Sequence, residues 1–144
     1  MSKVYKYQSD LDAILLECQC PGSTYFVFEQ KDAFRFVFED TNHPNNFRPP
    51  LKINPTRYSS KEAFEKCEGL GLSLYGKKEG AIQRFQELIV TFKNFRKTIG
   101  THIALGVIND EDGHITDEDE ITHFDMYEFE NIELGKKFVI VEEL

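Results

Sequence analysis

Residues 80–100 read GAIQRFQELIVTFKNFRKTIG, and their spacing decides the fold. Ile82, Phe85, Leu88, Ile89, Phe92, Phe95 and Ile99 recur mostly at steps of three and four, which makes one stripe of an α-helix and no stripe of a strand. Between them stand Gln83, Arg84, Gln86, Glu87, Lys93, Asn94, Arg96 and Lys97. A polar face that wide predicts a helix over 80–99 with one side on a sheet and the other in water. Gly100 is placed to end it as a C-cap, and Lys93, Arg96 and Lys97 set positive charge at the negative end of the helix dipole. Nothing on the stripe titrates, so it speaks of fold alone.

On either side of this helix the apolar residues switch to a period of two. Lys3 to Tyr7 (KVYKY) alternates and predicts a first strand. Ser9 is placed to cap a short helix carrying Leu11, Ile14, Leu15 and Cys18. After Pro21-Gly22, Thr24 to Glu29 and Ala33 to Glu39 predict two strands joined by a turn at Gln30-Lys31-Asp32. In the second, Phe34, Phe36 and Phe38 share one face while Ala33, Arg35 and Val37 share the other. Asp40 to Pro55 holds four prolines and four asparagines, too many breakers for a regular element, with a brief pairing possible at Leu51 to Ile53. Ser59 and Glu62 have capping-box spacing ahead of a second short helix that ends at Gly69. Strands are then predicted at Gly71 to Gly76, His102 to Ile108, Ile121 to Phe129 and Lys136 to Glu142, the last apolar enough to be paired on both edges. The class that results is α+β in a single domain over 1–144: a mainly antiparallel sheet, one long helix packed on it, and two short helices.

Composition excludes several functions. The chain has 144 residues and a formal charge of −8, and seven of its 25 acids lie between Asp110 and Glu120. Without them 18 acids face 17 bases, so no basic field exists to hold duplex nucleic acid. No apolar run reaches the length of a membrane span, and MSKVYKYQSD lacks the apolar core of a secretory signal, so the expected location is cytoplasmic. Cys18, Cys20 and Cys67 are odd in number and read as free thiols in a reducing compartment. They match no zinc spacing with His43, His102, His114 or His123, and no metal is expected.

Three constellations are candidates for function. The acidic segment 109–120 fails as a calcium loop, because glycine in sixth place would put Ile108 first, and it reads as a solvated hairpin tip open to a basic protein partner. The loop HPNNFRPPLKINPTR carries His43, Asn45, Asn46, Arg48, Lys52 and Arg57, groups suited to an anionic or nucleotide ligand. His123 and Asp125 share a strand face and are able to orient toward Ser73 or Cys67, or simply to satisfy each other. No Gly-x-Ser-x-Gly elbow or glycine-rich phosphate loop occurs.

The strand-then-helix opening KVYKYQSDLDAILLE, the run GLSLYGKKEGAIQRF and the late strand THFDMYEFE together resemble the layout of ADP-ribosyltransferase-like domains. The order NNFRP, GLSLY, HFDMYE is also similar to that of small bacterial proteins. The resemblance implies that an aromatic or basic residue on an early strand, a Ser or Tyr on a strand entering a helix, and a late acid surround NAD. Tyr5 or Lys6 would take the first place, Ser73 and Tyr75 the second, and Glu128 the third. Glu128 would then stabilise the oxocarbenium-like sugar while Tyr75 stacks on the ring, with Arg48, Asn46 and Arg57 beside the cofactor. The first strand has neither the family's usual Arg nor its His-Thr, and a paired acid is present only if Glu130 supplies it. The expected function is therefore a non-catalytic interaction module of immunity, regulatory or defence-accessory type. The alternative is an NAD-directed ADP-ribosyltransferase-like enzyme or a degenerate relative.

Overall fold

The computed structural model describes residues 4–21 and 29–144. Its centre is a six-stranded, wholly antiparallel sheet in the order β4-β5-β2-β1-β3-β6. The strands are β1 (Lys31–Val37), β2 (Leu72–Tyr75), β3 (His102–Ile108), β4 (Gly113–Ile115), β5 (His123–Glu128) and β6 (Phe138–Glu143). The helices are α1 (Gln8–Leu15), α2 (Pro50–Ile53), α3 (Pro55–Tyr58), α4 (Ala63–Gly69), α5 (Lys78–Thr91) and α6 (Phe95–Thr98), with a 3-10 turn at Leu134–Lys136. The chain is thus α+β, and its longest helix lies against β1 and β2.

Alternation along the strands builds a core on each face. Ala33, Val37, Leu72, Leu74, Ile108, Phe124, Met126 and Phe138 pack on one face, under Phe47, Ile132 and Leu134. On the other, Phe36, Tyr75 and Ile103 meet Ala81 and Phe85 of α5 and Phe95 of α6. A third cluster joins Leu11 and Ile14 of α1 to Cys67, Leu70 and Tyr127. β1 pairs with β3 along its full length but meets β2 only at Phe34 and Tyr75. The sheet therefore parts between β1 and β2, and that gap frames the site described below.

Several expectations are corrected. The helix over 80–99 is two helices. Phe92 has φ −115 and ψ 100, an extended conformation that stops α5, and its side chain is 53% exposed. The break turns Phe95 back into the core, where its ring stands edge-on to Phe36 at 5.3 Å and to Phe85 at 5.4 Å. Gly100 is no C-cap with positive φ; it lies where a Cβ would come within 2.7 Å of the Val37 carbonyl oxygen.

Lys31 and Asp32 form no turn but pair with Ile108 and Val107. The strand expected at Thr24 to Glu29 falls largely outside the described residues. Residues 4–6 supply a single bridge, Tyr5 with Phe129, instead of a strand, and α1 starts at Gln8 without a side-chain cap from Ser9. α4 likewise starts without a cap from Ser59, its N-cap being Glu62. Leu51 to Ile53 is helical, because Pro50 and Pro55 each stand at the first position of a helix, where a missing N–H costs nothing. Among the described residues β6 pairs with β3 alone and leaves Val139 and Val141 exposed.

Cys20 and Cys67 are joined in a disulfide, and only Cys18 is free. Packing of α1 on α4 brings together two cysteines 47 residues apart, a pairing their number alone does not disclose. The acidic segment is no free tip either. Asp112 is 1% exposed; its two oxygens accept from Lys137 Nζ at 2.6 and 2.7 Å, and Oδ2 also caps the Asn109 N–H. Glu118 pairs with Lys31, and Asp119 Oδ1 accepts from the N–H groups of Ile121 and His123 at 2.9 Å.

Candidate functional site

Where β1 and β2 part, Arg35 fills the gap. Period two on β1 sends it to the same side as Ala33 and Val37, where its guanidinium stands over the Phe47 ring, 5.9 Å from the ring centre. It is 8% exposed and donates from Nε to the Asn46 carbonyl, from Nη1 to that of Ser73 at 3.0 Å and from Nη2 to that of Arg48 at 3.2 Å. Burial pulls its pKa down to about 10, opposed chiefly by Glu128, so it stays charged at neutral pH. Its nearest partners are carbonyl oxygens, and among the described residues it forms no ion pair.

Arg35 is part of the floor of a cleft of about 870 Å³. The segment of residues 45–57, with α2 and the start of α3, forms one wall with Asn45, Arg48, Ile53 and Arg57; α5 forms another with Arg84, Glu87 and Leu88; residues 119–123 form a third. Arg48 and Arg57 are exposed, the first bonded to Asn45 Oδ1 and the second lying over the Tyr58 ring, and neither makes an ion pair among the described residues. Arg84 pairs with Glu87 at 3.2 Å. Four arginines against Glu87, Asp119 and Glu120 reverse, at this one place, the sign of a chain that is acidic as a whole.

The third wall is fixed to the start of α5. Gly80 comes so close to the turn at Ile121 and Thr122 that a Cβ would fall 2.0 Å from the Ile121 carbonyl oxygen. Thr122, with φ 64, also accepts from the Gly76 and Lys77 N–H groups. This joint sets His123 beside Ser73 and Tyr75. Ser73 Oγ and His123 Nε2 are 2.7 Å apart, and the imidazole stands 5.3 Å from the Tyr75 ring. Burial lowers the His123 pKa, with Asp119 opposing and Arg84 adding to the shift. Burial raises that of Tyr75 to about 12.

A smaller cavity of about 310 Å³ adjoins the cleft and shares Arg57, Ser73 and His123 with it. Asp125 lines it, pushed up to about 7 by burial and then by Glu68 and Asp119.

Of the residues expected at a site, Ser73, Tyr75, Arg48 and Arg57 meet in the one cleft. The other three lie elsewhere. Asn46 is buried and structural, its Oδ1 accepting from the Phe38 N–H and its Nδ2 donating to the Asp40 carbonyl. Tyr5 packs on Phe129 and touches His114 through its hydroxyl. Glu128 lines neither cavity, because β5 turns Phe124, Met126 and Glu128 to the opposite face from His123. Its Oε2 pairs with Lys6 at 2.7 Å, while Oε1 has no hydrogen-bond partner among the described residues. Burial raises its pKa, with Lys6 and then Arg35 opposing.

Tyr5 forms a single bridge with Phe129, and among the described residues the first strand of the sheet is β1, which carries Arg35. Sequence reasoning also missed Arg84 and Asp119. The usable signal for Arg35 was an arginine set between two apolar neighbours on the strand face that holds Ala33 and Val37. No protein-family model, curated protein or solved structure matches this chain.

Proposed function

We propose that the protein binds a small anionic ligand of nucleotide type, NAD or its ADP-ribose portion, in the cleft between β1 and β2. The observation that carries this is Arg35, a buried cation without a carboxylate partner among the described residues, at the floor of a cleft whose rim adds Arg48 and Arg57. Guanidinium groups match phosphate oxygens in geometry and charge, and a diphosphate here would add to the counter-charge that Glu128 supplies at longer range. The volume suits a ligand of that size, and Phe36, Tyr75, Ile53 and Leu88 offer apolar surface to a base or nicotinamide ring.

The ADP-ribosyltransferase-like layout supports the choice of dinucleotide. It expects an aromatic or basic residue on an early strand and a Ser or Tyr on a strand entering a helix. We read Arg35 on β1, and Ser73 and Tyr75 on β2 ahead of α5, as the residues in these places. The departure is the late acid, since Glu128 faces away and the β5 side chain in the cleft is His123. We therefore read the site as one that holds the dinucleotide without the carboxylate of a transferase, a degenerate relative of such enzymes.

Calorimetric titration with NAD and with ADP-ribose is the test. Binding that weakens at least tenfold in a double variant with Arg48→Ala and Arg57→Ala, and that declines with added salt, is the expected result. Binding unaffected by both changes would place the ligand elsewhere. A second reading, a protein partner held by the acidic segment, draws support from the exposed Asp110, Glu111, Asp117 and Glu120. A pull-down that loses its partner when these four become Asn is its test.

A further inference from the structure

The cleft holds more than a place for an anion. We propose that Ser73 is an activated nucleophile with His123 as its base, and that the cleft cleaves an acyl ester carried by a small anionic molecule. This rests on reading the cleft as an anion site.

The parts stand in the order such chemistry needs. Ser73 Oγ lies 2.7 Å from His123 Nε2, so the imidazole is in place to take the hydroxyl proton. At the other ring nitrogen, Asp119 Oδ2 is 3.8 Å from Nδ1. Its partner oxygen is pinned by the N–H groups of Ile121 and of His123 itself, which fixes the carboxylate beside the ring. That separation is an ion-pair distance, suited to stabilising the imidazolium that forms when Ser73 attacks. Burial favours the neutral imidazole, the state a base requires. Asp125 Oδ1, 3.6 Å from Nε2, is too far to displace the serine from that nitrogen.

The electrophile's developing charge also has a partner. A guanidinium carries five N–H donors, and three of those of Arg35 are taken by carbonyls, one of them that of Ser73 itself. The guanidinium lines the same cleft, and its positive charge favours an oxyanion there. In the reaction, Ser73 Oγ bonds to the carbonyl carbon as its proton passes to His123. The ester C–O bond then breaks, and the alcohol leaves with that proton. Water, deprotonated by His123, adds to the acyl-serine; the carboxylate departs and Ser73 recovers its hydrogen. Arg48 and Arg57 at the rim select substrates with a phosphate or carboxylate remote from the ester.

The intact protein is treated with a fluorophosphonate probe and weighed by mass spectrometry. In parallel, a nitrophenyl ester bearing a carboxylate is followed by absorbance. One adduct per chain, located on Ser73, is expected, with fluoride lost and the serine proton passed to His123. Ser73→Ala should abolish both labelling and turnover, and His123→Asn should slow both by about 100-fold. Melting temperatures close to that of the native protein show that both variants fold. Labelling at another residue, labelling that persists in Ser73→Ala, or the same rate in His123→Asn overturns the proposal. Calorimetry with ADP-ribose separates the two readings. Labelling without binding removes the nucleotide ligand and keeps the nucleophile, and binding without labelling does the reverse.

Discussion

Arg35 carries a full charge into the sheet and spreads it over three carbonyl oxygens, those of Asn46, Ser73 and Arg48. Replacing it by Met would fill the space and leave all three carbonyls without their donor, so Arg35→Met should lower stability by about 3 to 5 kcal/mol in chemical denaturation. Arg35→Lys keeps the charge but cannot reach three acceptors at once, and should cost about 2 kcal/mol. A loss below about 0.5 kcal/mol in both would mean that the gap between β1 and β2 closes without the guanidinium. Asp125 makes a different prediction. Its raised pKa means that the folded chain holds a proton which the unfolded chain has released between about pH 4 and about pH 7. Stability attributable to this group is therefore present at low pH and falls as pH climbs through that window, the reverse of an ordinary ion-paired carboxylate. Asp125→Asn should raise the melting temperature at pH 8 and leave it nearly unchanged at pH 4. An equal change at both pH values would contradict the shift.

At the scale of elements, the break after Thr91 separates residues that share one helical stripe. Phe85 is 8% exposed and Phe95 1%, whereas Phe92 is 53% exposed. Phe85→Ala and Phe95→Ala should each cost about 3 to 5 kcal/mol, and Phe92→Ala less than about 1 kcal/mol, measured by urea unfolding. A continuous helix would make Phe92 and Phe85 equally costly. The break was hidden because Phe92, Lys93 and Asn94 continue the apolar and polar pattern without a Pro or Gly to mark a stop. By contrast β1, β2 and β3 were largely legible, since alternation and flanking glycines or turn residues bound them. The acidic segment shows the same limit of pattern. Asp112 looks like its neighbours, yet β4 and β5 fold it over Lys137, 25 residues away. Asp112→Asn should cost about 2 to 4 kcal/mol, because it leaves a buried site half paired. Changing Asp110, Glu111, Asp117 and Glu120 together to Asn should move the melting temperature by no more than a degree or two. If the four exposed acids matter as much as Asp112, the segment is held by contacts other than those described here.

For the whole molecule, the candidate site is set by where the sheet comes apart. Strand order places β2 between β1 and β5, so Arg35, Ser73 and His123 arrive from three different strands at one cleft. Ser73, Tyr75, Arg48 and Arg57 were legible as candidates because residue type and spacing marked a strand entering a helix and a cationic loop. Arg35 was not, since its role depends on which strands become neighbours and on a sheet that parts after a single pairing; His123 was legible as a partner for Ser73 from its strand face, but not as part of a cleft shared with Arg35. Glu128 was misplaced for a related reason: period two says which residues of β5 share a face, but not which face meets the cleft. The most direct test is a heteronuclear NMR titration of the full chain with ADP-ribose. Shifts gathered at Ser73, Tyr75, Arg48, Arg57 and the Arg35 side chain, saturating below about 1 mM, are the predicted result. Signals that stay unmoved at millimolar ADP-ribose, or shifts confined to residues outside the cleft, would contradict the account.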